Sequence, residues 1–261
     1  LMPVTLLRLR PTGSQSDAVR NDAECMKSLL AKMCVEAGVK VLLHTRVVAA
    51  YKDNANRLTT IVTENKSGRE AWRGKIFVDT TGDGDLAALA GCRFDLGHPV
   101  TGKMQPMTLM ALLMGVDYPA LHERRLIRGD GISSTVPAPK GISPEESKRN
   151  FLAELRRAGI EPSYLGPTLF PVRDNLIAMM VNHEYGYSAI NAQQVTEATL
   201  HAREDVNRVV DALRRLGGVW KDVRLVVTGE QIGTREGRRV RGRYTITKDD
   251  LIRGARFPDA V

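Results

Sequence analysis

The chain lacks the features that define several kinds of protein. No apolar run reaches about eighteen residues, so no transmembrane helix is expected. The opening Leu1-Met2-Pro3-Val4 has no basic segment followed by a long apolar stretch, so it does not read as a signal peptide. Only three cysteines occur, Cys25, Cys34 and Cys92, with no C-x-x-C spacing. That odd count argues against a disulfide framework or zinc site and fits buried thiols in a reducing compartment, so the expected location is cytoplasmic. The five histidines are scattered without H-E-x-x-H, and no metal site is expected. Aromatics make up 5% of residues, which leaves few platforms for stacking nucleic-acid bases. The first thirty residues contain no Gly-rich strand–turn–helix and do not begin with Met, a pattern that reads as a fragment.

What is present supports a packed core. Apolar residues reach 43% of 261, enough for one large domain or two smaller ones. The net charge is +8, with much of it in Arg235, Arg238, Arg239, Arg241, Arg243, Lys248, Arg253 and Arg256. Such a patch suits nucleic acid, an acidic small molecule or a cofactor pyrophosphate. The scarcity of aromatics favours the small molecule over nucleic acid.

Asn21 reads as the N-cap of a helix, with Glu24 three positions on; the helix turns Met26, Leu29, Leu30 and Met33 towards a core and closes at Gly38. Residues 39–43 read as a short apolar strand, and residues 47–78 as a small antiparallel meander that returns to the strand 76–78. Gly/Pro punctuation at 97–102 marks a domain boundary. Met104 to Val116 is Met- and Leu-rich and reads first as core. Ser143-Pro144 starts a helix that Gly159 closes, and Leu176 to Val181 reads as a strand. His183 beside Glu184 reads as a surface pair, although the stretch 182–185 suits a pocket wall. Thr196 to Leu216 is the clearest helix, by its three- and four-residue apolar steps, and packing is its expected role. Val223 to Val227 is a strand, Arg239, Arg241 and Arg243 alternate as the basic face of another, and Thr247-x-x-Asp250 caps a final helix or turn.

The centre of the chain is residues 75–91, where an apolar run ends in Asp79-Thr80-Thr81-Gly82-Asp83-Gly84-Asp85 and a short helical pattern follows. A strand, a tight turn and a helix place short polar groups at a sheet edge, where α/β proteins bind ligands. Gly82-x-Gly84-x-x-Ala87 matches the dinucleotide fingerprint literally. Two carboxylates in a phosphate loop repel the ligand, and no acidic residue ends a second strand about twenty residues on, so an NAD(P)-only reading is disfavoured. The turn suits sugar hydroxyls or backbone N–H groups instead.

These residues resemble the turn of the FAD-dependent oxidoreductase family, within the wider glutathione-reductase-like flavoprotein class. Glu36 to Val47, Gln105-Pro106-Met107-Thr108, and Arg235-Glu236-Gly237-Arg238-Arg239-Val240-Arg241-Gly242 with Asp249-Asp250 agree in order, so the resemblance covers nearly the whole chain. It implies FAD as cofactor, with Val47 near the adenine and Thr80, Thr81, Gly82, Asp83 and Gly84 as cofactor contacts. It also implies Gln105, Arg235 and Arg239 on the substrate side of the flavin. Where Gly237 stands the family usually carries Ser, which puts a hydroxyl role there in question.

The expected fold is α/β: an incomplete FAD/NAD(P)-binding Rossmann-like cofactor domain, residues 1–98, with a return at 243–261. A sheet-and-helix substrate domain, 99–242, is inserted between them. The expected function is flavin-mediated redox of a small, anionic organic substrate, with no membrane partner; no residue reads as a nucleophile or acid/base pair. The alternative is a non-catalytic basic module that binds nucleic acid or a protein. Without a Gly-rich pyrophosphate turn or a flavin-closing segment, the isolated chain is expected to bind FAD poorly and to aggregate.

Overall fold

The computed structural model describes residues 23–127, 142–173 and 175–258. The predicted N-cap Asn21 lies outside them. Helix α1 (Ala23–Glu36) ends at Gly38, whose φ of 68° needs a left-handed turn. Its apolar residues do not reach a core: Leu30 and Met33 are exposed. The cysteines are not buried either, since Cys25 and Cys92 are exposed and Cys34 is half-buried.

Residues 39–43 and 76–78 form no strand, contrary to the sequence reading. Val41, Leu42, Leu43, Ile76 and Val78 are exposed. A strand exists only where a neighbour satisfies its N–H and C=O groups, and no described strand runs beside these segments. Apolar character gave propensity without a partner. All strand ladders among the described residues are antiparallel.

The meander is present as expected. Strands β1 (Arg46–Lys52), β2 (Leu58–Asn65) and β3 (Gly68–Arg73) pair in order. Asp53 Oδ1 accepts from the N–H groups of Ala55 and Arg57 to close the first turn. Trp72 Nε1 donates to Thr63 Oγ1 at 2.8 Å across the sheet.

Helix α2 (Asp85–Leu89) and strand β4 (Phe94–Asp95) lead into the larger unit. That unit contains β5 (Ala111–Met114), α3 (Tyr118–Glu123), α4 (Pro144–Arg157), β6 (Thr168–Arg173), β7 (Leu176–Met180), α5 (Ala192–Leu216) and β8 (Arg224–Thr228). The strands form one sheet in the order β6-β7-β5-β8. On β5, Ala111 and Leu113 are buried while Leu112 is half-buried and Met114 exposed, the alternation of a sheet covered on one face. Phe151 and Leu155 of α4 and Val206, Val209, Val210 and Leu213 of α5 cover that face. Each such buried side chain contributes about 1.5–3 kcal/mol. Ser143 and Asn191 cap α4 and α5 by accepting from Glu146 N and Gln194 N. Trp220, fully buried, packs on Phe151 and donates Nε1 to Glu154 at 3.0 Å.

The antiparallel order has a consequence for the site. Because β5 pairs with both β7 and β8, its beginning lies beside their ends. Two bridges extend the sheet in that direction, Met107 with Glu184 and Thr108 with Gly233. Further on, β9 (Arg239–Val240) pairs with β4, so residues 94–95 and 239–240 sit side by side. Helix α6 (Lys248–Ile252) follows, with the reciprocal cap expected from Thr247 and Asp250. Among the described residues no helix is long and apolar enough to cross a membrane.

Candidate functional site

The acidic turn before α2 is held by its own side chains. Asp79 Oδ1 accepts from Thr81 N at 3.0 Å and Thr81 Oγ1 at 2.7 Å, while Oδ2 accepts from Ala87 N at 2.8 Å. Burial works against this carboxylate, but the Thr81 and Ala87 bonds outweigh it and hold its pKa below the ordinary value. Thr81 Oγ1 also accepts from Asp85 N at 2.8 Å. Thr81 is thus committed to the turn itself. Gly82 and Gly84 both have positive φ, 87° and 64°.

The arginine stretch docks on this turn. Arg238 Nη1 donates to the main-chain oxygen of Asp83 at 3.1 Å and to Asp85 Oδ1 at 2.7 Å. Its guanidinium carbon lies 5.4 Å from the centre of the Phe94 ring. A β-carbon on Gly84 would come within 3.0 Å of Val240 Cγ2. One on Gly237 would collide with the Asp83 carboxyl. Burial and then the Asp85 charge raise the Asp83 pKa, partly offset by Arg238.

Two residues earlier, Glu236 faces the other way along the chain. Its Oε2 accepts from Gln105 N at 2.9 Å, and it pairs with Arg239. Arg239 Nη2 donates to Gly97 O at 2.6 Å. Residues 236–239 therefore join the turn at 83–85 to the segment that opens β5. An open cavity of about 950 Å³ borders them, lined by residues that include His98, Lys103, Gln105, Glu236 and Arg239.

Of the predicted contacts, Asp83, Gly84, Gln105 and Arg239 thus converge on this region. Thr80 and Gly82 are exposed on the turn. Val47 lies half-buried on β1, opposite Thr63, and β1 packs against α2. Arg235 is exposed and does not line the cavity. The basic face expected from Arg239 to Arg243 is a two-residue strand only, and its charges are largely matched. Arg241 pairs with Asp95 at 2.5 Å and Arg253 with Asp250 at 2.6 Å, in addition to the pairs of Arg238 and Arg239.

The sequence reading missed the polar groups at the sheet end. Glu184 is buried and pairs with His201 of α5 at 2.7 Å, not with His183 on a surface. Burial raises its pKa, opposed by the His201 hydrogen bond. The long helix thus carries a polar contact as well as core. His183 stacks on Tyr164 with ring centroids 4.1 Å apart, and its Nδ1 lies 3.1 Å from the Tyr185 hydroxyl. The cluster of His, Glu and Tyr at 183–185 was its signal in sequence, but only the fold brings Tyr164 and His201 to it.

The turn's free groups fit the hydroxyl-bearing part of FAD. Thr80 and Gly82 are accessible, and the Asp83 carboxyl has no hydrogen-bond donor assigned to it among the described residues. The carboxylates of Asp83 and Asp85 at the start of α2 do not suit pyrophosphate. No curated protein matches the chain. A family model described as FAD dependent oxidoreductase matches residues 6–261. The chain belongs to the FAD-dependent oxidoreductase family, whose cofactor is FAD.

Proposed function

We propose that this chain carries out flavin-linked redox of a small, anionic organic substrate. FAD, when bound, supplies the electron-transfer chemistry. The cofactor contacts are Val47, Thr80, Gly82, Asp83 and Gly84, with Thr81 shaping the turn; Asp83 accepts from a ribityl or ribose hydroxyl. Gln105, Arg235 and Arg239 face the substrate, and a guanidinium is the group best suited to a planar anion. The cofactor part, 1–98 with 243–261, is of the Rossmann-like, glutathione-reductase-like type, and 99–242 is inserted into it. The β4–β9 ladder supports that insertion, because it brings the two ends of 99–242 together.

The observation that carries the reading is the contact of residues 236–239 with both the 83–85 turn and Gln105. The stretches at 83–85, 105 and 236–239 meet there, which supports one region shared by cofactor and substrate. The test is Asp83→Ala in the full chain, with flavin affinity measured by fluorescence titration. Loss of a charge-assisted hydrogen bond should weaken affinity by about 1.5–3 kcal/mol. Unchanged affinity would remove Asp83 from the cofactor site.

A further inference from the structure

Four of the buried side-chain polar atoms without a hydrogen-bond partner fall in the two short segments at the sheet end: Thr108 Oγ1, Asn182 Nδ2, His183 Nε2 and Glu184 Oε1. Buried polar groups are normally satisfied, so such a concentration calls for a physical reason. Two of these atoms share one face. Met107 and Glu184 exchange both backbone hydrogen bonds, at 3.1 and 2.8 Å. The next pair in that register sets Thr108 opposite His183, and residues opposite each other point to the same side. Thr108 in turn exchanges both bonds with Gly233, at 3.0 and 2.8 Å. Position 233 has no side chain, and Arg235, exposed in the bend two residues on, is near enough for its charge to act on His183.

His183 is fixed in place rather than free. Tyr164 covers one ring face, Tyr185 meets it edge-on at 5.7 Å with its hydroxyl on Nδ1, and the backbone N–H donates to Ser163 Oγ at 2.9 Å. Burial first, and then the Arg235 charge, lower its pKa, so the ring is neutral at pH 7. In the neutral tautomer whose Nδ1 accepts from the Tyr185 hydroxyl, Nε2 carries the hydrogen and is a donor. Among the described residues Arg235 has no carboxylate partner.

We propose that His183 Nε2, Thr108 Oγ1 and the Arg235 guanidinium together bind one carboxylate group of the substrate. The proposal rests on the reading of Arg235 as a substrate contact and extends it to a three-donor subsite. Charge selects the ligand class. Two neutral donors and one cation balance a single negative charge, which suits a carboxylate better than a dianionic phosphate. The subsite is a binding and positioning element, and no proton transfer is assigned to it.

The test follows the His183 imidazole signals by NMR in the full chain, with sodium acetate and sodium phosphate titrated separately at constant ionic strength. His183→Gln, which keeps a donor near the Nε2 position, assigns the signals; His122 serves as the internal reference. Acetate should shift the His183 signals saturably and raise the pKa of the ring, leaving His122 unmoved. Arg235→Ala, at an exposed position, should weaken the acetate effect by about tenfold or more. Thr108→Val should weaken it to a smaller extent. No saturable acetate shift, or an equal shift in Arg235→Ala, overturns the subsite; tighter binding of phosphate overturns the charge argument. Flavin retention is measured in parallel. Acetate binding that is unchanged by added FAD would leave the carboxylate subsite standing apart from the flavin reading.

Discussion

The carboxyl of Asp83 occupies the space that a side chain at position 237 would need. Gly237 has no unusual backbone angle, so the requirement is one of volume rather than conformation. Gly237→Ala should therefore displace Asp83 and destabilise the turn by about 1–3 kcal/mol, as overpacking does. In an Asp83→Ala background the same substitution should cost less but not nothing, because the β-carbon of residue 83 itself lies 2.8 Å from that position. A double-mutant cycle on urea unfolding measures this coupling. Additive costs would show that the two positions do not compete for one volume.

Arg238 links the turn to the rest of the molecule through Asp83 O and Asp85 Oδ1. Its side chain is 18% exposed, whereas Asp85 is half exposed. Solvent therefore screens part of the pair, and Arg238→Ala should cost about 1–2 kcal/mol. Flavin affinity should fall with it, because Asp83 and Asp85 would then repel each other unopposed. Equal flavin affinity in variant and parent would separate Arg238 from the cofactor site.

Trp220 tests the larger sheet. It is fully buried against Phe151 and bonded to Glu154. Trp220→Ala should cost about 3–5 kcal/mol in chemical denaturation. Trp220→Phe should cost less but still be destabilising, since Glu154 loses a donor. A loss below about 1 kcal/mol for Trp220→Ala would mean the site collapses around the cavity.

Stability should fall with acid in a window set by His122. The ring is buried edge-on against Tyr118, and burial lowers its pKa. Folded, it stays neutral; unfolded, it takes a proton below about pH 6.5. The unfolded state therefore binds more protons in that range, and stability rises with pH through it. The stability present above the unfolded pKa is lost as pH falls towards 5. His122→Phe should flatten the pH dependence of the melting temperature between pH 7.5 and 5.5. His183 behaves in the same sense but is common to both proteins. Parallel curves would show that His122 is not the titrating group.

Local chemistry was legible in the sequence, and its partners were not. The meander, the caps of α4 and α6 and α5 from Thr196 onward followed from turn residues, capping residues and apolar period, while the first turn of α5 from Ala192 did not. The turn at 79–85 and the stretch at 235–239 were recognisable singly. Their contact was not, because nothing in Gly237 announces that Asp83 lies against it. His201 was read as part of a packing helix, since periodicity reports which face a residue occupies and not what stands opposite. The strands expected at 39–43 and 76–78 failed for the same reason. A run of Val, Leu and Ile has strand propensity, but a strand needs a neighbour.

The join between the turn and the sheet differs in material from the sheet itself. It consists of the two-residue β4–β9 ladder and the pairs Arg238–Asp85, Arg239–Glu236 and Arg241–Asp95. The sheet and its helices are held by apolar packing. Ionic screening shortens from about 10 Å at 0.1 M salt to about 3 Å at 1 M, and it acts on partly exposed charges far more than on hydrocarbon. Ionic strength should therefore loosen the grip on the 79–85 turn while leaving the apolar core intact. If that turn holds flavin as proposed, sodium chloride would release flavin from a protein that remains folded.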